Sequence, residues 1–529
     1  MRAQEIWHSA RTTADAPART LDAMLARIAT FAIDGIDPRH VWVEVDIRSG
    51  LPTFTIVGLG DAAVRESRDR VRSAIANSGF EFPQTRITAN LAPAFLRKVG
   101  PGFDAALALA VLAASEQVPA DALDAYAVFG ELSLSGELRD SPGALAVAEG
   151  ARRAGLQRLI VPRQRAREAA LVEGLEIAGV SSLRAAAEVL TGTAPPPLPA
   201  PAPYRHAAMT AEPDLADIRG HAAPLLALQI AAAGGHNLLF EGAPGTGKTM
   251  LARRIPSILP AMSRAEAIEV TRIHSIAGLH ASGLVQARPF RAPHHTVSPS
   301  GLVGGGAPPR PGEATLAHHG VLFLDELAEF QRSSLDALRQ PLEDGCVTIV
   351  RGQRALVYPT RFMLVAATNP CPCGFAGVGD RCRCGEADLR RHSRRLSGPL
   401  LDRMDLLINV ERPTEPDLRA PPQTSSALAR ERVAHARERQ RFRLADTARC
   451  NGEMDARLVR RHVRLDEAAE RALAHAYAVG ALSARGRHRV VRVAQTIADL
   501  AGHDHVTHAD LLTALSLRQR GEAETMIAA

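Results

Sequence analysis

Apolar and polar positions alternate with period two from Val41 to Ile47 (Val-Trp-Val-Glu-Val-Asp-Ile), which predicts a half-buried strand. Thr53-Phe-Thr-Ile-Val57 follows at hairpin distance and is expected as its partner. Val64 to Asn77 carries helical spacing, and the apolar run Ala105 to Ala114 predicts a buried helix. That run is well short of the roughly 18 apolar residues of a membrane span. Further on, Asn237-Leu-Leu-Phe240, Val321-Leu-Phe-Leu324 and Met363-Leu-Val-Ala-Ala367 are short continuous apolar runs, as in buried parallel strands. Val347 to Val357 alternates, turns at Arg351-Gly-Gln-Arg354 and alternates again, which predicts a β-hairpin with two arginines at its tip. From 427 onward the pattern is helical.

The breaks between these stretches outline the domains. Residues 1–23 are polar and aperiodic and read as a disordered leader, so that Met24 is a candidate true start. A patterned domain spans 24–190. The segment 191–212 is proline-rich around Thr193 to Pro203 and reads as a linker, since it cannot pack as a core. The next domain covers 213–411, a second loose linker 412–426, and a helical domain 427–529. A chain of 529 residues is too long for one core, and about three domains fit it.

The strongest chemical signal is Gly242-Ala-Pro-Gly-Thr-Gly-Lys-Thr249, set between an apolar strand and a helix-like stretch. This is a Walker A loop in its proper context. Gly242, Ala243, Pro244, Gly245, Thr246 and Gly247 let the backbone wrap phosphates, Lys248 reaches the β- and γ-phosphates, and the Thr249 hydroxyl ligates Mg²⁺. The run Val321–Leu324 ends in Asp325-Glu326. Asp325 is expected in the Mg²⁺ shell and Glu326 as the group that polarises the attacking water. ATP and Mg²⁺ are thus the expected substrate and cofactor. The strand ending in Asn369 places an amide where sensor 1 lies in AAA+ ATPases. Arg403, in Ser397-Gly-Pro-Leu-Leu-Asp-Arg403, is expected as an arginine finger acting on a neighbouring subunit's nucleotide. Arg485 is expected as sensor 2, with Arg489 one turn on as the fallback.

Composition adds less. The formal net charge of +6 permits a nucleic-acid partner without showing one. The N-terminus lacks the apolar core of a signal peptide, so a cytoplasmic location without membrane attachment is expected. Four of six cysteines gather as Cys371-Pro-Cys373 and Cys382-Arg-Cys384. Four thiolates suit tetrahedral Zn²⁺. The C-x-C spacing is tighter than the usual knuckle, and a redox or iron–sulfur role or a loop of unliganded thiols remain alternatives.

Taken together, Arg288-Pro-Phe-Arg-Ala-Pro-His-His-Thr-Val-Ser298, Leu302-Val-Gly-Gly-Gly306, Pro311 to His318, Leu322 to Leu327, Asn369-Pro-Cys-Pro-Cys-Gly374 and Ser397 to Arg403 resemble the ComM/YifB group of magnesium-chelatase-like AAA+ ATPases. The likeness spans about 24–520. It implies an α/β fold made of a Lon-protease-like (S5-like α+β) N-terminal domain, an AAA+ P-loop core of the helix-2-insert class, in which this chain carries a cysteine-rich insert at 371–384, and a C-terminal helical lid. It also implies a hexameric helicase that drives branch migration in natural transformation. Lys98 to Asp104 and Gly130 to Glu137 resemble the Lon protease domain, but the positions of its catalytic Ser and Lys fall on Gly102 and near Ala146. Ser135 and Lys98 stand outside the motif positions, so protease activity is not expected.

For DNA, single-stranded or branched, the candidate contacts are Arg351 and Arg354 at the hairpin tip and the insert around Arg288, Arg291, His294 and His295. The hairpin resembles the pre-sensor-1 hairpin of the minichromosome maintenance helicases. The arginine-rich stretch 381–395 is a third basic surface. A chelatase-type motor and a protein-remodelling ATPase are the alternatives to a DNA motor.

Overall fold

The computed structural model describes residues 24–195, 197, 213–279, 283–306, 309–351, 354–396, 398–445 and 447–518. The expected leader and most of the proline-rich linker fall outside these residues. The chain divides into two compact units, Met1–Ile33 with Pro38–Ala200 and Asp34–Asp37 with Pro201–Ala529.

The first unit is built on a seven-stranded sheet in the order Thr53–Val57, Arg86–Ala92, Asp37–Arg48, Met24–Asp34, Tyr126–Val128, Arg158–Pro162, Glu176–Val180. Alternation along these strands sends neighbouring side chains to opposite faces. Ile28, Val128 and Ile160 pack on one face with the helices Ala62–Asn77, Asp104–Ala114 and Leu183–Thr191. Ala29, Ala127 and Leu159 pack on the other with Ala144–Arg153. The helix Asp104–Ala114 is buried along its whole length, as its apolar run predicts. Its first residue is a buried carboxylate, which accepts hydrogen bonds from Ser67 and from Arg70 Nε (2.8 Å).

One sequence expectation fails here. Thr53–Val57 is not the hairpin partner of Asp37–Arg48. Arg86–Ala92 lies between them, antiparallel to Asp37–Arg48 and parallel to Thr53–Val57. Period-two alternation fixes which face a strand buries, not which strand it pairs with.

The second unit holds a five-stranded, all-parallel sheet in the order Phe290–Arg291, Val321–Leu324, Met363–Thr368, Leu238–Glu241, Leu406–Asn409. Both faces are covered, which is why these strands read as unbroken apolar runs. Leu238, Phe240, Phe323 and Val365 face a core shared with the helices Ala222–Gly234, Ser426–Leu444 and Ala484–Ala501. Leu239, Leu322, Leu364 and Ala366 face a second core with Leu302, Leu335 and Leu396. The two strands Cys346–Arg351 and Arg354–Pro359 form a separate antiparallel hairpin, with Arg351 opposite Arg354 and Val347 opposite the buried Tyr358. The C-terminal helices begin on side-chain caps: Ser425, Asp455, Asp466, Ser483 and Thr507 each accept from a backbone N–H in the first turn. Residues 412–426, expected as a loose linker, include the capped helix Glu415–Arg419. No helix among the described residues is long and apolar enough to cross a membrane.

One buried ionic network ties the C-terminal helices to the sheet. Asp405 Oδ1 accepts from Arg489 (2.9 Å) and Arg492 (3.3 Å), and Oδ2 accepts from the backbone N–H of Asn237 (3.0 Å). Against the effect of burial, His236 and the guanidinium groups of Arg492 and Arg489 hold the Asp405 carboxyl far below the usual carboxylate range. Removing the anion would leave two guanidinium groups uncompensated, so Asp405→Ala should destabilise this unit by about 3–5 kcal/mol. Chemical denaturation of the variant against the parent checks this, and a loss below about 1 kcal/mol would show that the network is dispensable.

Candidate functional site

Because the five strands run the same way, their C-terminal ends share one edge of the sheet, where ligands of open α/β sheets bind. Leu238–Glu241 leads into Gly242, Val321–Leu324 into Asp325 and Glu326, and Met363–Thr368 into Asn369. Residues far apart in sequence thus converge. Lys248 Nζ donates to the carbonyls of Gly242 (2.6 Å) and Ala243 (2.9 Å) and to Asn369 Oδ1 (3.2 Å). Thr249 Oγ1 donates to Asp325 Oδ2 (2.8 Å), so the two expected Mg²⁺ ligands already face each other. Half-burial draws the Lys248 ammonium below its ordinary value, and the carboxylates of Asp325 and Glu326 oppose that shift.

The loop's glycines have specific causes. Gly245 and Gly247 have φ of +79° and +91°, in the left-handed region that favours glycine. A Cβ at Gly242 would stand 2.4 Å from the carbonyl oxygen of Val410. Lys248 opens the helix Lys248–Ala252, with Gly247 at its N-cap, so the positive end of that helix lies at the loop. Glu326 also has a positive φ, +53°, without being glycine. Such strain concentrates where a side chain must be held in a set direction. The Glu326 side chain is 58% exposed at the mouth of this edge.

Two histidines lie close to these residues. His295 Nδ1 lies 3.6 Å from Glu326 Oε2. The sequence placed it in a DNA-contacting insert, whereas tertiary structure carries it to the expected catalytic carboxylate. His221, just before the helix Ala222–Gly234, has its Nε2 3.5 Å from where a Cβ of Gly247 would stand, and burial lowers its pKa. For His221 the only sequence signal is a histidine beside a predicted element, which is too common to single it out, and the run that contains His295 gives no sign of its carboxylate neighbour.

The arginines are sorted differently from expectation. Arg288 is half-buried and held within the unit: it donates to the carbonyls of Pro260 (2.6 Å) and His319 (2.6 Å) and pairs with Glu266 (3.1 Å). Arg291 forms a two-bond pair with Glu313 (2.6 and 2.8 Å). Both guanidinium groups are thus engaged by carboxylates of this chain. His294 shares a hydrogen bond with Thr296 (2.9 Å). At the other hairpin, turn residues 352–353 and the side chains of Arg351 and Arg354 lie outside the described structure.

Arg403 lies at the opposite edge of the sheet. Asn237, which precedes the Walker A strand, donates from Nδ2 to the Arg403 carbonyl (3.1 Å). At about 3.3 Å per residue, the strand Leu238–Glu241 separates this end from the phosphate loop by roughly 13 Å. The Arg403 side chain is 9% exposed and pairs with Glu343. Arg489 donates to Asp405 and to the Arg403 carbonyl (3.2 Å), so the fallback sensor belongs to that far edge. Arg485 is exposed on the first turn of the same helix, Ala484–Ala501.

In the first unit, a Cβ at Gly102 would stand 2.5 Å from the ring of Phe129, and Ala146 is buried inside a helix. The Lys98 ammonium is buried against the carbonyls of Leu91 (2.6 Å) and Pro93 (2.5 Å), and the Ser135 hydroxyl pairs with Ser133 (2.8 Å).

Comparison with known families agrees with this architecture. The family described as magnesium chelatase, subunit ChlI, matches residues 214–418. Subunit ChlI of Mg-chelatase matches 43–165, and the ChlI C-terminal family matches 423–518. The chain is 44% identical over 502 residues to the uncharacterized protein Rv2897c of Mycobacterium tuberculosis, covering 94% of this chain and 99% of that one. It is 43% identical over 497 residues to the uncharacterized protein YifB of Escherichia coli (93% and 97%). It is 41% identical over 501 residues to the competence protein ComM of Haemophilus influenzae (93% and 97%). With its P-loop, its parallel sheet and this near-full-length likeness, the chain belongs to the ComM/YifB family of magnesium-chelatase-like AAA+ proteins.

Proposed function

We propose that this protein is an ATP-hydrolysing motor that works as a homo-hexameric ring on single-stranded or branched DNA, in the cytoplasm. The observation that carries the ATPase reading is the convergence of Lys248, Thr249, Asp325, Glu326 and Asn369 at one sheet edge. Lys248 and the loop N–H groups would hold the phosphates. Thr249 and Asp325 would hold Mg²⁺, which screens charge between phosphates when bound. Glu326 would accept the proton of the attacking water, and Asn369 would orient that water.

Ring assembly is supported by the position of Arg403. A finger lying across the sheet from its own phosphate loop suits a neighbour's nucleotide, and exposed Arg485 offers a second cation. On this reading Arg403 must leave Glu343 to act. The first unit is read as a degenerate Lon-like scaffold without protease activity, because Phe129 fills the space a serine at Gly102 would need. The helices from Ser426 to Ser516 are read as the lid. The DNA reading rests on the hairpin, whose register sets Arg351 opposite Arg354. Cations at such a tip meet phosphates without regard to sequence. The competence protein among the relatives points the same way. A chelatase-type or protein-remodelling ATPase is the alternative, and it requires no DNA dependence.

Three variants test the ATPase and the ring. Lys248→Ala should lose nucleotide binding, Glu326→Gln should bind ATP but hydrolyse it at least about 100-fold more slowly, and Arg403→Ala should lose turnover while keeping affinity. Mixing Arg403→Ala with Lys248→Ala subunits should restore part of the activity. ATP affinity and steady-state turnover are the readouts. Normal turnover in Glu326→Gln would remove its assignment, and no recovery in verified mixed rings would remove the trans role of Arg403.

Arg351→Ala with Arg354→Ala should weaken DNA binding and leave DNA-free ATP turnover unchanged. Each lost phosphate contact should flatten the log–log salt dependence of affinity by roughly one. An unchanged salt slope would move the DNA contact to the arginines of 381–395 or to the first unit.

A further inference from the structure

Among the described residues two groups of side chains are close enough to share a metal ion: Glu269 with His318 and His319, and Cys371 with Cys373, Cys382 and Cys384. The first is closed by its own hydrogen bonds. His318 Nδ1 accepts from the backbone N–H of Arg361 (3.0 Å), and His319 Nδ1 accepts from Arg449 Nη1 (2.7 Å). Each ring therefore carries its proton on Nε2 and donates it to Glu269 Oε2, at 3.0 and 2.8 Å. Neither Nε2 has a lone pair for a metal.

The second group has no such internal solution. We propose that the four cysteines form a single-ion Zn²⁺ centre that braces the Walker A loop. In a tetrahedral Zn–S₄ site with bonds of about 2.3 Å, the sulfurs stand about 3.8 Å apart. Here Cys371 and Cys382 are 3.9 Å apart, Cys373 and Cys382 3.7 Å, and Cys371 and Cys373 3.4 Å. All four Sγ atoms lie within 4.8 Å of one another. A disulfide would need about 2.05 Å, and all six cysteines are free of one. The backbone N–H of Ala376 donates to Cys371 Sγ (3.2 Å), as suits a thiolate ligand. Four sulfurs this close enclose one ion rather than a multi-iron cluster.

The centre is built into the nucleotide site from two sides. Cys371 is buried two residues after Asn369, the residue that meets Lys248. Gly374, in the loop after Cys373, packs on the phosphate loop so closely that a Cβ there would stand 2.6 Å from Cδ of Pro244. Its φ of +87° also favours glycine. After Cys384, the helix Glu386–Arg395 returns to the same place, where buried His392 donates from Nε2 to the Asn369 carbonyl (2.9 Å). The metal would thus fix a short insert whose two ends hold Asn369 and Pro244. Loss of metal should loosen the nucleotide site without removing any residue that touches ATP. The bracing role, unlike the metal itself, rests on the nucleotide-site reading above.

The test uses the full chain, purified without chelator. Elemental analysis should give about one zinc per chain, and titration with an organomercurial should release it, followed by a metallochromic dye. Cys382→Ser with Cys384→Ser should abolish the zinc, whereas Cys346→Ser with Cys450→Ser should keep it. Gly374→Ala should keep the zinc and weaken binding of a fluorescent ATP analogue by about fivefold or more. A folded, metal-free chain whose six thiols all react at once would overturn the centre, and stoichiometric iron would overturn its assignment to zinc. If the double serine variant fails to fold, mercurial release from the parent chain decides. Zinc-loaded Gly374→Ala with unchanged nucleotide affinity would overturn the bracing role. Failure of the nucleotide reading itself would appear separately, as a parent chain that binds no nucleotide whatever its metal content.

Discussion

The register of the Walker A strand between its two parallel neighbours is the constraint on which the second unit depends. Asn237, the residue before that strand, sets it on both sides. Its Oδ1 accepts from the Leu364 N–H (2.9 Å), its Nδ2 donates to the Arg403 carbonyl, and its backbone N–H donates to Asp405. With the strands so aligned, their C-terminal ends must deliver the phosphate loop, the paired carboxylates and Asn369 to one edge. A slip of one residue would exchange the buried faces of Leu238, Leu239 and Phe240 and pull Lys248 away from Asn369.

The same constraint separates two kinds of charge. Acidic chemistry and a single lysine gather at the C-terminal edge, while Arg403, Arg489 and Arg492 gather around Asp405 at the other. The second unit therefore carries its phosphate-binding residues and this ion-paired guanidinium cluster at opposite ends of its sheet. The hairpin and the cysteine insert are additions to this frame, one carrying the arginine pair and the other packing on Pro244 and Asn369.

Much of this was legible because the chemistry is local in sequence. A phosphate loop needs consecutive backbone N–H groups, so Gly242 to Thr249 declares itself, and strands buried on both faces declare themselves as apolar runs. What stayed hidden is partnership. Arg288 and Arg291 look like surface cations in sequence, yet Glu266 and Glu313 neutralise them through contacts that only the fold creates. His295 reaches Glu326 and His221 reaches the phosphate loop by the same route. The pairing of Thr53–Val57 with Arg86–Ala92 is hidden for a related reason, since alternation carries no information about a neighbour. The cysteine cluster was visible as a set of ligands, but its packing beneath Pro244 was not.

ATP turnover of the purified chain, measured without DNA and with single-stranded, duplex and four-way-junction DNA at one fixed salt concentration, tests the account most directly. A DNA motor of this design should hydrolyse ATP slowly alone and several-fold faster with single-stranded or branched DNA, and the stimulation should fall as salt rises. Turnover that is the same with every DNA and without any would contradict it and leave an ATPase whose substrate is not nucleic acid.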